Sequence, residues 1–120
     1  MRLFLKVIFH WTVHAVLLSL FIIVFKLNLT QVLVAVASTL LMDIDHIPII
    51  IKMGYWFVLE PIRYPLHKIS ILLITSIGFG WSLFTKNWIN IFLSAAFLHL
   101  LWDIIEDAVV YRMGIEHWKW

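Results

Sequence analysis

Apolar residues fill four stretches of this chain, and polar breaks separate them. Leu3 to Phe25 forms the first, and Lys26-Leu27-Asn28 interrupts it before the second, Leu29 to Ile51. A longer break, residues 52–68, carries Gly54, Pro61 and Pro65. The third stretch, about Ile69 to Thr85, is followed by the turn Lys86-Asn87 and by the fourth, Trp88 to Tyr111. A helix that is apolar all round is buried in protein or in lipid. Each stretch lies near the ~20 residues that cross about 30 Å of hydrocarbon, the third being short. The pattern predicts an all-α fold, an integral membrane bundle of four transmembrane helices at about 3–25, 29–51, 69–85 and 88–111. The short connections force antiparallel neighbours, and the whole chain, 1–120, is expected to form one domain.

Composition agrees. Hydrophobic residues make up 63% and charged residues 13%, with mean hydropathy +0.99, against about 45–50% and about 25% in a soluble domain. The net charge of +2 is too small and too dispersed to argue for nucleic acid, and no nucleic-acid partner is expected. Cys is absent, so there is no disulfide framework and no thiolate metal site. The first stretch is far longer than the apolar region of a signal peptide and reads as a retained anchor. Orientation follows the basic residues. Placing both termini and the 52–68 loop inside gathers Arg2, Lys6, Lys52, Arg63, Lys68, Arg112 and Lys119 there, leaving Lys26 and Lys86 outside. The expectation is N-in/C-in, with Trp81 and Trp88 beside the outer turn.

Against this apolar background the ionisable residues stand out, because a charge at membrane depth is costly unless it is paired or bound to an ion. His10 and His14 lie i,i+4 on the first helix, which has no carboxylate to pair with them. His14 is the deeper and the candidate site member. Asp43, Asp45 and His46 close the second stretch, and Pro48 should loosen the helix near Ile47. A regular helix would put Asp43 and His46 on one face and turn Asp45 away. Unwinding would bring all three to one centre, or leave Asp45 to orient a ligand. Before the third helix stand Arg63, suited to bidentate contact with a phosphate or carboxylate, and His67. On the fourth, His99 and Asp103 are i,i+4, while Glu106 and Asp107 sit nearer the inner boundary, within reach of water. Imidazoles and carboxylates without thiolates suit a divalent metal, Zn²⁺ or a similar first-row ion, as one ion or two.

These residues, in this order, resemble the motif set of small inner-membrane proteins described as membrane-bound metal-dependent hydrolases, including the LexA-binding, inner-membrane-associated hydrolase group. That set comprises an early helix His, Leu-Pro-Asp-x-Asp-His, Arg-Gly-x-Thr-His and a late His-x-x-x-Asp. Here the corresponding residues are His14, Leu41-Met42-Asp43-Ile44-Asp45-His46, Arg63-Tyr64-Pro65-Leu66-His67 and His99-Leu100-Leu101-Trp102-Asp103. Met42 stands where Pro is usual, Ile62 where a His is common, and Lys68 where a Ser is usual. The resemblance implies a prokaryotic-type cytoplasmic membrane and a metal-dependent hydrolytic activity.

The resulting expectation is a hydrolase with its site in the cytoplasmic half of the bundle, acting on a lipid or phosphate ester from the inner leaflet. His14, Asp43, Asp45, His46, His67, His99 and Asp103 are the candidate metal ligands. Asp45 doubles as a candidate general base, and Arg63 would hold an anionic head group. Two alternatives use the same residues. One is a small proton- or cation-coupled transporter, a homo-oligomer working as a dimer; the other is a non-catalytic metal-binding adaptor. A relay needs ionisable groups across the full membrane depth, whereas the outer half of every helix here is apolar.

Overall fold

A computed structural model of the chain describes residues 3–53 and 66–109, and all regular structure among them is helical. Helix α1 spans Leu3–Phe25 and α2 spans Leu29–Met42. A 3-10 turn, Asp43–His46, leads into α3, Ile47–Met53; α4 spans Ile69–Ser82 and α5 spans Trp88–Val109. Three apolar segments are long enough to cross a membrane: Ile8–Phe25, Leu29–His46 and Trp88–Val109. Arg63 and most of the 52–68 connection lie outside the described residues.

The second stretch is not one helix. Its expected loosening falls on Asp43–His46, while Ile47 itself keeps α angles (φ −57°, ψ −49°). Pro48 then occupies the first turn of α3, where its missing N–H removes no helical bond. The third stretch is also shorter than expected. Helix α4 has 14 residues, a rise of about 21 Å, which is less than a bilayer core. The helix starts at Ile69 as expected and ends early, at Ser82, where Leu83 N–H turns back to Gly80 O and Phe84 N–H to Trp81 O. His67, just before α4, meets Asp103 on α5, and the rise along α5 from Asp103 back to Trp88 is about 22 Å. Helix α4 therefore starts level with Asp103, already deep along α5.

The turns are built from local chemistry. Helix α1 ends in a Schellman motif, with Leu27 N–H donating to Ile22 O at 3.1 Å and Lys26 N–H to Ile23 O at 3.2 Å. Lys26 takes the left-handed position (φ 50°) that usually falls to Gly. Asn28 and Gln31 form a reciprocal capping box at the start of α2, both bonds 3.0 Å. Lys86 Nζ reaches back to donate to Phe25 O at 2.6 Å, and Gln31 Nε2 donates to Lys86 O at 2.6 Å. These bonds tie the two turns together, and exposed Trp81 and Trp88 flank that end.

Helix α5 is the central element. Small residues let its neighbours approach: Ala95 packs with Ala35, Phe21 and Ile91 in one core cluster, and Ala96 with Met42 and Leu100 in another. Ser38 Oγ donates to Phe92 O at 2.6 Å, crossing from α2 to α5. Gly78 on α4 lies so close to α5 that a methyl group there would overlap Leu93. Contacts pair α1 and α4 antiparallel to α5, and α2 parallel to it. Apolar side chains such as Ile23, Val24, Leu33 and Ile77 face outward, as lipid contact requires.

Candidate metal centre

The site is organised on Asp103, which is 7% exposed and one helical turn beyond His99 on α5. Its two oxygens face different groups. Oδ1 lies 3.0 Å from His14 Nε2 and 3.9 Å from His10 Nδ1, both on α1. Oδ2 lies 3.0 Å from His67 Nε2 and 3.2 Å from His99 Nε2. The 3-10 turn brings in Asp43, whose Oδ1 lies 3.2 Å from His99 Nε2 and 4.0 Å from His46 Nδ1. Four parts of the chain thus supply one continuous cluster: α1, the turn after α2, the residues before α4, and α5.

Unwinding at Asp43–His46 gives Asp45 its own place. A carboxylate can only accept, so His46 Nδ1–H donates to Asp45 Oδ1 at 2.9 Å and His67 Nδ1–H donates to Oδ2 at 3.3 Å. Leu66 N–H adds a third bond to Oδ2 at 2.8 Å, satisfying irregular backbone beside the cluster. Asp45 therefore fixes the His67 tautomer, holding the proton on Nδ1 and turning the Nε2 lone pair to Asp103. Burial works to lower the His67 pKa, but the adjacent Asp103 and Asp45 carboxylates outweigh it and raise it to about 9. That Nε2 position attracts a cation, whether a proton or a metal.

Several close contacts in the cluster are not hydrogen bonds. Asp103 Oδ2, His99 Nε2 and Asp43 Oδ2 are buried with no hydrogen-bond partner among the described residues, although Oδ2 and Nε2 are 3.2 Å apart. The distances suit donors and acceptors; the directions do not. Ligand atoms placed tetrahedrally about 2.0–2.1 Å from a Zn²⁺ ion lie about 3.3 Å apart with lone pairs aimed at the ion. The orphaned pair Asp103 Oδ2 and His99 Nε2, 3.2 Å apart, fits that arrangement, with His67 Nε2 3.0 Å from the oxygen and Asp43 Oδ1 3.2 Å from the nitrogen. His67, His99 and Asp103 form one group able to hold a metal ion; Asp43, His46 and His67 form a second, and His10, His14 and Asp103 a third.

Protein-family models, curated proteins and solved structures were all compared with the chain, and none matches.

The structure brings His14, Asp43, Asp45, His46, His67, His99 and Asp103 together. Arg63 lies outside the described residues. Two further residues join them. His10, set aside as the shallower of the α1 pair, hydrogen-bonds Glu106, and both are buried. Glu106, expected near water, is only 3% exposed. Their signal was the spacing: His10 and His14 are i,i+4, Asp103 and Glu106 are i,i+3, so each pair shares a helix face.

Proposed function

We propose that the chain is a metal-dependent hydrolase of a prokaryotic-type cytoplasmic membrane, with four spans, N-in/C-in, and its site in the cytoplasmic half. The observation that carries it is the meeting of buried His67 and His99 on Asp103, at 3.0 and 3.2 Å, with Asp43 Oδ1 3.2 Å from His99 Nε2, while Asp103 Oδ2 and His99 Nε2 face each other without a hydrogen bond. These four residues hold the ion, Zn²⁺ by donor type. When bound, the ion supplies Lewis acidity and brings the pKa of a water molecule to near 7. Asp45 keeps the His67 tautomer and stands as the candidate base. Arg63, four residues before His67, binds an anionic head group.

One observation favours a lipid or lipid-phosphate substrate, and another weighs against a transporter. Leu17, Leu18, Ala95 and Leu98 line a small cleft together with Thr39, His14 and His99, so apolar side chains border the polar centre, an environment suited to a lipid approaching from the membrane. The buried hydroxyls farther along the bundle, Ser38, Thr75, Ser82 and Ser94, each donate to a helix carbonyl. That leaves no ionisable chain among the described residues leading away from the cluster, which weighs against a transporter.

Elemental analysis of the detergent-purified protein beside its His99→Ala variant tests the proposal, followed by a hydrolysis screen with lipid phosphates and simple phosphate esters. Metal in the wild type, a lower content in the variant and hydrolysis lost with it are expected. Near-zero metal in both samples overturns the hydrolase; metal without hydrolysis leaves the adaptor. Asp45→Asn is expected to weaken metal affinity about 10–100-fold while leaving the stoichiometry intact, because it disturbs a ligand's orientation rather than a ligand. A competition titration with a chelating dye reads both quantities.

A further inference from the structure

Asp103 offers its two oxygens to two separate sets of nitrogens. His67 and His99 meet Oδ2, while His14 and His10 meet Oδ1 from the opposite helix. A single ion among Asp43, His67, His99 and Asp103 Oδ2 leaves the α1 side unexplained. On that side His10 and His14 project from one face of α1, and Asp103 and Glu106 from one face of α5. His10, His14 and Asp103 already lie within metal-binding reach of one another. Glu106 extends the group: one of its oxygens contacts His10 Nδ1, and the other, Oε1, is buried with no hydrogen-bond partner among the described residues. A carboxylate oxygen left so, in a residue 3% exposed, carries a desolvation penalty that a cation removes.

We infer that His10, His14, Glu106 and Asp103 Oδ1 form a second cation site, sharing Asp103 with the ion proposed above, so that the centre is binuclear. The inference deepens that proposal and rests on it for the neighbouring ion. Charge favours two ions. Asp43, Asp45, Asp103 and Glu106 place four carboxylates in the cluster. Two divalent cations balance them with every imidazole neutral, whereas one leaves two negative charges for protonated imidazoles to meet. Helix bundles build paired metal sites from inward-facing carboxylates and histidines at i,i+3 spacing, and a carboxylate with one oxygen toward each donor set suits ions about 3.5–4 Å apart. The class of ligand is a divalent first-row ion bound by nitrogen and oxygen.

The test uses the full chain in detergent, stripped with a chelator and reloaded with Co²⁺ alone. Metal content and electron paramagnetic resonance are read together, neither depending on activity. Two Co²⁺ per chain with a magnetically coupled signal are expected in the wild type. His10→Ala and Glu106→Gln should each retain one, with the uncoupled spectrum of an isolated ion, and His99→Ala should retain the other. Should His10→Ala misfold by circular dichroism, Glu106→Gln, which keeps the side-chain volume, carries the decision. A wild-type content of one, unchanged in Glu106→Gln but lost in His99→Ala, overturns the second site and leaves the first standing. A content of two that Glu106→Gln leaves at two, still coupled, overturns it as well. No bound Co²⁺ in the wild type removes both.

Discussion

Asp103→Asn is expected to bring the metal content of the purified protein to background, a larger loss than any other single substitution in the cluster. Asn keeps the size of the side chain and one oxygen, but it loses the charge and replaces the second oxygen with a donor. Both oxygens of Asp103 are engaged: Oδ1 with His14 at 3.0 Å, and Oδ2 with His67 at 3.0 Å and His99 at 3.2 Å. Removing a residue behind a ligand costs about 10–100-fold in metal affinity, and removing a shared ligand should exceed the upper end of that range. Stability falls too, since breaking a buried charge network from one side costs about 3–5 kcal/mol. Elemental analysis and a thermal melt in the same detergent check the two effects. A folded Asp103→Asn protein that retains wild-type metal would remove Asp103 from the centre, and with it the link between the two sets of histidines.

That one residue can matter so much reflects how the sequence divides the labour. The helices were legible because their apolar runs need no partner to be recognised: α1 occupies Leu3–Phe25 as expected, and α5 starts at Trp88. The break after Met42 was legible in outline, since Asp43, Asp45 and Pro48 all disfavour a continuing helix. Its position was not, because the choice between unwinding at Ile47 and at Asp43–His46 depends on where Asp45 finds donors. It finds them at Leu66 and His67, 21 and 22 residues away. The start of α4 at Ile69 was legible, but its end at Ser82 was not, because the apolar run continues through Leu83 and Phe84.

His10 and Glu106 show the limit most clearly. Depth along a single helix, used alone, favoured His14 over His10 and gave Glu106 to solvent. What reverses both is the antiparallel register of α1 on α5, which sets His14 opposite Asp103 and His10 opposite Glu106 across sequence separations of 89 and 96 residues. Register between helices is decided by side-chain packing, here by small residues such as Ala95 and Ala96, and no periodicity within one helix records it.

The second large effect is expected where that packing is tightest. Gly78→Leu should destabilise the bundle and disturb the centre, although Gly78 touches none of the candidate ligands. A methyl at this position already overlaps Leu93, and extra carbons forced into a packed contact cost about 1–3 kcal/mol or more. Because the overlap is with the first side-chain carbon of Leu93, α4 must move away from α5, and His67 at the head of α4 moves with it. Gly80, two residues on, meets nothing within 4 Å. Gly80→Ala should therefore be neutral or stabilising by up to about 1 kcal/mol, since Ala loses less backbone freedom than Gly in a helix. Thermal melts and metal content in detergent distinguish the two. Gly78→Ala should lower the melting temperature, Gly78→Leu should lower it further and weaken metal binding, and Gly80→Ala should leave both intact. Equal responses at positions 78 and 80 would mean that α4 does not pack on α5 through Gly78, and that the geometry holding His67 against Asp103 comes from elsewhere.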